Sequence, residues 1–277
     1  MTLPQRSGHA GLGATVALAL AEDLGPLGDI TAALLPPASA ASARIVPRSD
    51  GVLAGQPAAA ETFTQVDPGL SIRWLAEDGD DLVAGRPIAT IDGRLASMVT
   101  AERTALNFLC HLSGIATLTR RYAHAARPAR VRDTRKTTPG LRALEKAAVR
   151  AGGGVNHRGS LSDGILVKDN HLGGLAIADV VQRAHDRWPG RTVQIECDTV
   201  DQVRSAVAAG ADLVLLDNMS IDEVAASVTL VDDRCRVEVS GGVTLDNVAA
   251  YAAAGADLIA IGALTHSAPA LDIGLDL

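Results

Sequence analysis

Leu213-Val214-Leu215-Leu216-Asp217 is an apolar run that stops at a carboxylate, and the same construction recurs along the second half of the chain. The companion runs are Val131 to Asp133, Ile165 to Val167, Val193 to Ile195, Val237 to Val239 and Leu258 to Ile261. Each is short and is succeeded by a helix-like segment. Their spacing, about 20 to 30 residues, is that of strand–helix units in a parallel sheet or barrel. Six units in about 140 residues fall short of the roughly 200 that a closed eight-unit barrel needs. The expected fold class is therefore α/β, with an open, incomplete barrel over this half.

The residues at the carboxyl end of each run carry chemistry. Arg135 and Lys136 come just after the first, then Lys168, Glu196, Asp217, Ser240 and Gly262 close the others in turn. In α/β barrels the carboxyl ends of the strands converge on the active site, so a basic half followed by an acidic half reads as a binding surface rather than as solvation. Upstream, the pattern changes. An N-terminal helix, apolar stretches at Ala43 to Leu53, Leu70 to Leu75 and Pro87 to Ile91, and the turn signal Glu77-Asp78-Gly79-Asp80-Asp81 predict an α+β domain. A long helix from about Ser97 to Ala126 joins the two parts, with Leu106, Leu109 and Cys110 on an apolar stripe. Arg103 falls on the same stripe, where it either snorkels past a packed surface or reaches into a cleft.

Composition narrows the ligand. A net charge of −7 with 2% aromatic residues leaves neither a basic footprint nor stacking platforms for nucleic acid. Between Arg130 and His171, however, nine basic residues face four acidic ones, which suits a small anion. All three lysines, Lys136, Lys146 and Lys168, lie in this stretch, in a chain that elsewhere uses arginine for positive charge. Lys136 and Lys168 sit where a compact ammonium is useful, whereas Lys146 is compatible with a solvated helix face. Cys110, Cys197 and Cys235 form no metal-ligand spacing and are expected as reduced, buried thiols in a cytoplasmic protein. No stretch is long enough to span a bilayer.

Four constellations stand out. Asp133-Thr134-Arg135-Lys136-Thr137-Thr138-Pro139-Gly140 puts two cations before a helix expected to start at the proline, a ready anion site. Gly152-Gly153-Gly154-Val155-Asn156-His157-Arg158 delivers an imidazole, structural or ligand-binding, beside a guanidinium, and Lys168-Asp169-Asn170-His171 comes next. Glu196 and Asp217 form an acidic pair able to bind Mg²⁺ through water or to hold ribose hydroxyls, and Asp198 nearby is a cap or surface residue. The glycine turns Ser240-Gly241-Gly242 and Gly262-Ala263 stand where barrels hold phosphate, after the last two strands.

Together with Leu215-Leu216-Asp217-Asn218-Met219, Ser240-Gly241-Gly242-Val243-Thr244, Gly262-Ala263-Leu264-Thr265-His266-Ser267, Glu22-Asp23-Leu24-Gly25 and Ala101-Glu102-Arg103-Thr104-Ala105-Leu106-Asn107, these motifs resemble the quinolinate phosphoribosyltransferase family over nearly the whole chain. The resemblance implies an N-terminal α/β sandwich with the joining helix over residues 1–115, an open α/β barrel over 116–268, and a tail at 269–277 returning to the N-terminal domain. It implies a homodimer and phosphoribosyl transfer from phosphoribosyl pyrophosphate to quinolinate, with Mg²⁺, giving nicotinate mononucleotide, pyrophosphate and carbon dioxide. Arg135, His157, Arg158 and Lys168 would hold the quinolinate carboxylates, with Arg103 supplied by the partner subunit. Lys136 would stand at the shared substrate and pyrophosphate region, Glu196 and Asp217 at ribose and metal, and Ser240, Gly241, Gly262 and His266 around phosphate. Cys110 and Ala147 depart from the family pattern at positions away from this chemistry. A same-fold paralogue associated with molybdate transport and a non-catalytic pyridine-carboxylate sensor are the competing readings. The intact basic set argues against the first, and the acidic pair with its phosphate turns against the second.

Overall fold

The structure, a computed structural model, describes residues 8–277 and divides into two compact units. The first comprises residues up to Leu118, Thr138–Gly152 and Ala268–Leu277, and the second comprises Thr119–Thr137 and Gly153–Ser267.

The first unit holds α1 (Gly8–Leu24), β1 (Ala40–Pro47), β2 (Gly51–Val52), α2 (Gln56–Val66), β3 (Ser71–Trp74), β4 (Asp81–Leu82), β5 (Ala89–Arg94) and most of α3 (Leu95–Ala125). After β6 (Arg130–Arg132) of the second unit, α4 (Arg142–Ala151) returns to the first. The second unit continues with β7 (Ile165–Val167), α5 (Asp169–Leu172), α6 (Ile177–Arg187), β8 (Val193–Cys197), α7 (Val200–Ala208), β9 (Leu213–Asp217) and α8 (Ile221–Val231). It ends with β10 (Arg236–Ser240), α9 (Val248–Ala253), β11 (Leu258–Ala260) and α10 (Ala263–His266), and β12 (Ile273–Asp276) again belongs to the first unit.

In the first unit an antiparallel sheet runs in the order β12-β1-β5-β3, and β2 pairs with β4. Alternation along β1 and β5 buries Ala43, Ile45, Ala89 and Ile91, which pack with Phe63 of α2 and with Met98, Leu106 and Leu109 of α3. α3 buries most of its circumference, which corrects the place of Arg103. Ala101, Ala105, Phe108 and Leu112 are buried together with Leu106 and Leu109, whereas Arg103 and Asn107, one turn apart, are exposed. The three-residue spacing to Leu106 puts Arg103 on the buried stripe; the observed apolar face is broad and leaves that strip outside it.

The placement of Thr138–Gly152 in the first unit differs from a division that runs unbroken from residue 116. Its anchor is Glu145 of α4, fully buried, which meets His111 of α3 at 2.9 Å and accepts the Thr138 N–H at 3.1 Å. Burial acts to raise the Glu145 carboxyl, but those bonds together carry it below its ordinary value. The helix also starts later than Pro139: Leu141 is its N-cap, and Gly140, at φ 84°, turns the chain into it. Lys146, compatible by sequence with a solvated face, is buried at 6% exposure, since α4 turns Glu145, Lys146, Ala148 and Val149 inward.

The second unit is a six-stranded parallel sheet in the order β6-β11-β10-β9-β8-β7. β6 and β7 do not pair with each other among the described residues, so this barrel-like sheet is open, as a count of six units requires. Cys197 is buried, which pushes its thiol up to about 12, and Cys110 and Cys235 are half-buried free thiols. No helix of the described residues is long and apolar enough to cross a membrane.

Gly114 of α3 makes the closest approach in the first unit: a Cβ there would stand 2.1 Å from the Pro269 carbonyl oxygen. We expect Gly114→Ala to lose at least about 2 kcal/mol in urea unfolding, because backbone rather than a movable side chain blocks the methyl. Wild-type stability would show that the segment before β12 can lift away at no cost.

Candidate active site

Side chains alternate across a strand, so Gln194 and Glu196, Leu213 and Leu215, and Leu258 and Ala260 share a face of the second unit's sheet. Two cavities open on this face and share His157 and Arg158 in their walls. One, of about 510 Å³, lies toward the amino ends of the strands and is bounded by Arg130, Arg132, Gln194, Leu213 and Leu258. The other, about 340 Å³, lies at the carboxyl ends and brings together Arg135, Lys136, His157, Arg158, Lys168 and Glu196 over an apolar floor of Leu166, Leu215 and Ala260.

Four permanent cations therefore line the second cavity against one carboxylate. Lys168 Nζ takes that carboxylate, Glu196 Oε2, at 2.6 Å. Arg135 Nε is buried and has no hydrogen-bond partner among the described residues. Burial and then the charge of Arg135 push the Arg158 guanidinium below its ordinary value, the mark of cations held closer than they would choose. Such a cavity is short of negative charge by construction, and an anion placed in it relieves both the repulsion and the orphaned donor.

Local bonds hold these groups. Asp133, fully buried at the end of β6, accepts the His157 N–H at 2.8 Å and an Asn156 side-chain N–H. The Arg158 N–H donates to His157 Nδ1 at 2.7 Å, and Arg158 Nη1 donates to the Gly164 carbonyl at 3.1 Å. Lys168 leads into α5, where its N–H donates to His171 Nδ1 at 3.0 Å. The Lys136 carbonyl accepts from Thr265 Oγ1 at 2.7 Å. A Cβ on Gly262 would stand 3.1 Å from both Lys136 Cδ and His266 Nε2, so the glycine leaves room where these side chains pass. His266 Nδ1 in turn meets Ser267 Oγ at 2.6 Å.

Asp217 and Ser240 do not line the 340 Å³ cavity. They are register partners at the ends of neighbouring strands, and Asn218 stitches the corner by donating its N–H to the Ser240 carbonyl at 2.9 Å and its side-chain N–H to Asp217 Oδ2 at 3.0 Å. Gly241, at φ 89°, packs so closely that a Cβ would fall 2.2 Å from Asn218 Oδ1. Arg103 lies on α3 in the first unit, exposed. No group of three or more metal-ligating side chains occurs among the described residues.

Sequence reasoning passes over the buried centre of this face. Glu238 of β10 is fully buried and accepts from Arg132 Nη1 at 2.8 Å and Gln194 Nε2 at 2.9 Å. The signal is present in Arg236-Val237-Glu238-Val239, since a glutamate between two valines of a buried parallel strand needs a partner.

A parallel sheet with cations, carboxylates and glycine turns at its carboxyl ends defines an α/β barrel-like enzyme for anionic ligands. The family models for quinolinate phosphoribosyl transferase match this chain with their N-terminal domain at residues 29–113 and their C-terminal domain at 115–276. The chain is 42% identical to the nicotinate-nucleotide pyrophosphorylase [carboxylating] of Mycobacterium leprae, covering 95% of this chain and 96% of that one. It is 40% identical to the probable enzyme of that name from Bacillus subtilis, over 92% and 90%. The solved nicotinate-nucleotide pyrophosphorylase of Francisella tularensis superimposes with a TM-score of 0.93 at 36% identity, over 100% of this chain and 99% of that one. The chain belongs to the quinolinate phosphoribosyltransferase family.

We expect Gly241→Ala to cut catalytic efficiency at least about tenfold, because the methyl would strike Asn218 beside Asp217 and the backbone is left-handed there. Gly242→Ala is the control: it is also left-handed, at φ 59°, but has nothing within 4 Å of its Cβ. Equal steady-state losses in the two variants would assign the effect to backbone strain alone.

Proposed function

We propose that this chain transfers phosphoribosyl from phosphoribosyl pyrophosphate to quinolinate and releases carbon dioxide, giving nicotinate mononucleotide and pyrophosphate for NAD biosynthesis. The observation that carries this reading is the 340 Å³ cavity with four cations, one carboxylate and an Arg135 Nε that has no partner among the described residues. Quinolinate brings two carboxylates; Arg135, Arg158 and Lys168 supply their charged partners, and His157 stands in the same wall and holds the Arg158 backbone. Lys136 serves the shared substrate and pyrophosphate region, and Ser240, Gly241, Gly262 and His266 serve the phosphate, with Gly262 leaving room beside Lys136 and His266.

As pyrophosphate departs, positive charge develops on the ribose ring. Glu196 and Asp217, closing adjacent strands β8 and β9, stabilise that charge by standing near it before the reaction begins. When the ring carboxylate later leaves as carbon dioxide, the electron pair of the broken C–C bond stays on the ring carbon, where the adjacent cationic pyridinium nitrogen stabilises it until a proton from solvent replaces the carboxylate. The protein contributes position and electrostatics.

Two carboxylates on neighbouring strands are too few for a cage, but they suit Mg²⁺, which is commonly held by one or two carboxylates together with substrate phosphates. Glu196 and Asp217 would hold it, and the ion would neutralise charge on the departing pyrophosphate. We place the enzyme in the cytoplasm as a homodimer, in which Arg103 of one subunit completes the other's site.

Lys136→Arg and Lys168→Arg are each expected to lower catalytic efficiency at least about tenfold, since a planar fork does not replace a point charge. Unchanged steady-state kinetics in either variant would remove that lysine from the site. Nicotinate, lacking the second carboxylate, leaves buried cations unpaired and should be disfavoured by ~10³-fold or more in a competition assay followed by product and released carbon dioxide. Comparable turnover of nicotinate without carbon dioxide would end the carboxylate-pairing account.

The shared site has its own test. Arg103→Ala and Lys168→Ala homodimers should both be nearly inactive, yet refolding the two together should recover up to about a quarter of wild-type activity, because half the dimers are hybrids with one intact site. Activity that stays at baseline despite subunit exchange, verified with two tags of different size, would confine Arg103 to its own subunit.

A further inference from the structure

Glu238 is costly where it stands. Its side chain has no exposure, and burial pushes its carboxyl upward against the opposing pull of Arg132. A buried ion pair of this kind is weak as a source of stability, since well-packed apolar residues of similar volume often do as well. Both of its strong bonds, moreover, fall on one oxygen: Arg132 Nη1 and Gln194 Nε2 donate to Oε2. The other oxygen, Oε1, has no hydrogen-bond partner among the described residues and faces His157 Nε2 at 3.6 Å.

The ring of His157 has a direction. Its Nδ1 accepts the Arg158 N–H at 2.7 Å, so Nδ1 carries no proton and the ring hydrogen is on Nε2, the atom turned toward Glu238 Oε1. Arg132 extends the same support, because its Nη2 donates to the Asn156 carbonyl at 3.1 Å while its Nη1 holds Glu238. The segment Asn156-His157-Arg158 belongs to no helix or strand, yet it presents two of the groups that line the carboxyl-end cavity.

We propose that Glu238 is a positioning residue that acts through His157: its Oε1, facing Nε2 at 3.6 Å, favours the ring proton on that nitrogen by charge, and so keeps Nδ1 an acceptor that fixes the Arg158 backbone and aims its guanidinium. The kinetic part of this inference rests on the reaction proposed above; the tautomer part does not.

Glu238→Gln tests it by chemistry rather than by volume. An amide that keeps its oxygen on Arg132 and Gln194 must turn its NH₂ toward His157, setting a donor against the Nε2–H. The imidazole then moves its proton to Nδ1 or turns away, and either change breaks the bond from the Arg158 N–H. Ring ¹⁵N shifts should show His157 as the Nε2–H form in the wild type and not in Glu238→Gln. With quinolinate, KM should rise about tenfold while kcat stays within about threefold and the KM for phosphoribosyl pyrophosphate is unchanged. Adding Glu238→Gln to His157→Asn should cost nothing further, because the residue through which it acts is already gone.

A folded Glu238→Gln enzyme with wild-type ¹⁵N shifts and wild-type KM would overturn the proposal, as would losses that add in full in the double variant. If Glu238→Gln does not fold, the wild-type spectrum still decides: an Nδ1–H imidazole refutes the assignment. A wild-type enzyme that does not turn over quinolinate refutes the reaction instead, and leaves the ¹⁵N result to judge Glu238 alone.

Discussion

Along a β-strand successive side chains point to opposite faces, and in the second unit this period of two decides which residues can meet. One face of the parallel sheet stacks its side chains in tiers. By register one tier holds Glu196, Leu215, Glu238 and Leu258, and the tier above it holds Asp217, Ser240, Ala260 and Arg132. A slip of one residue in any strand would send its whole set to the opposite face and dismantle both tiers together. The register therefore fixes the buried polar centre and the charged rim as one construction. The loops then need only deliver Arg135, Lys136, His157, Arg158 and Lys168 to a rim that already exists.

The rim is costly in a specific way. Four cations share one cavity, burial and then the charge of Arg135 lower the Arg158 guanidinium, and Glu196 balances only part of the charge. The strands are held by apolar residues behind this face, Val193, Ile195, Val214, Leu216, Val237, Val239 and Ile259, all essentially buried. That core supports the crowding, and the crowded charges find relief when an anion arrives. Fully buried Asp133 adds local support, its carboxylate accepting from the His157 backbone N–H and the Asn156 side chain.

Much of this is legible in the sequence because parallel strands buried on both faces read as near-continuous apolar runs. All six runs are strands within a residue or two of their ends, and the terminal residues Lys168, Glu196, Asp217, Ser240 and Gly262 fall where a barrel's carboxyl ends lie. The features that escape are set by packing between segments distant in sequence. Nothing near Lys146 announces that α4 turns inward, because the cause is the meeting of Glu145 with His111. Spacing alone misplaces Arg103, because a three-residue interval marks neighbours on a helix but not the breadth of its buried face. Glu238 is easily overlooked although its cost is visible, since an isolated acidic residue inside a strand does not name its partners, and these come from β6 and β8.

The sheet of the first unit has a consequence for the order in which the chain takes shape. Its edge strand β12 pairs with β1, Pro47 opposite Ile273, and the whole second unit is encoded between them. During synthesis, β1 leaves the ribosome long before its neighbour exists, with one row of backbone N–H and C=O groups unmet. The second unit is free to condense first from its strand–helix repeats. The first unit becomes complete only when Ile273–Asp276 return to close it, a long loop closure that makes this sheet the late and aggregation-exposed part of folding.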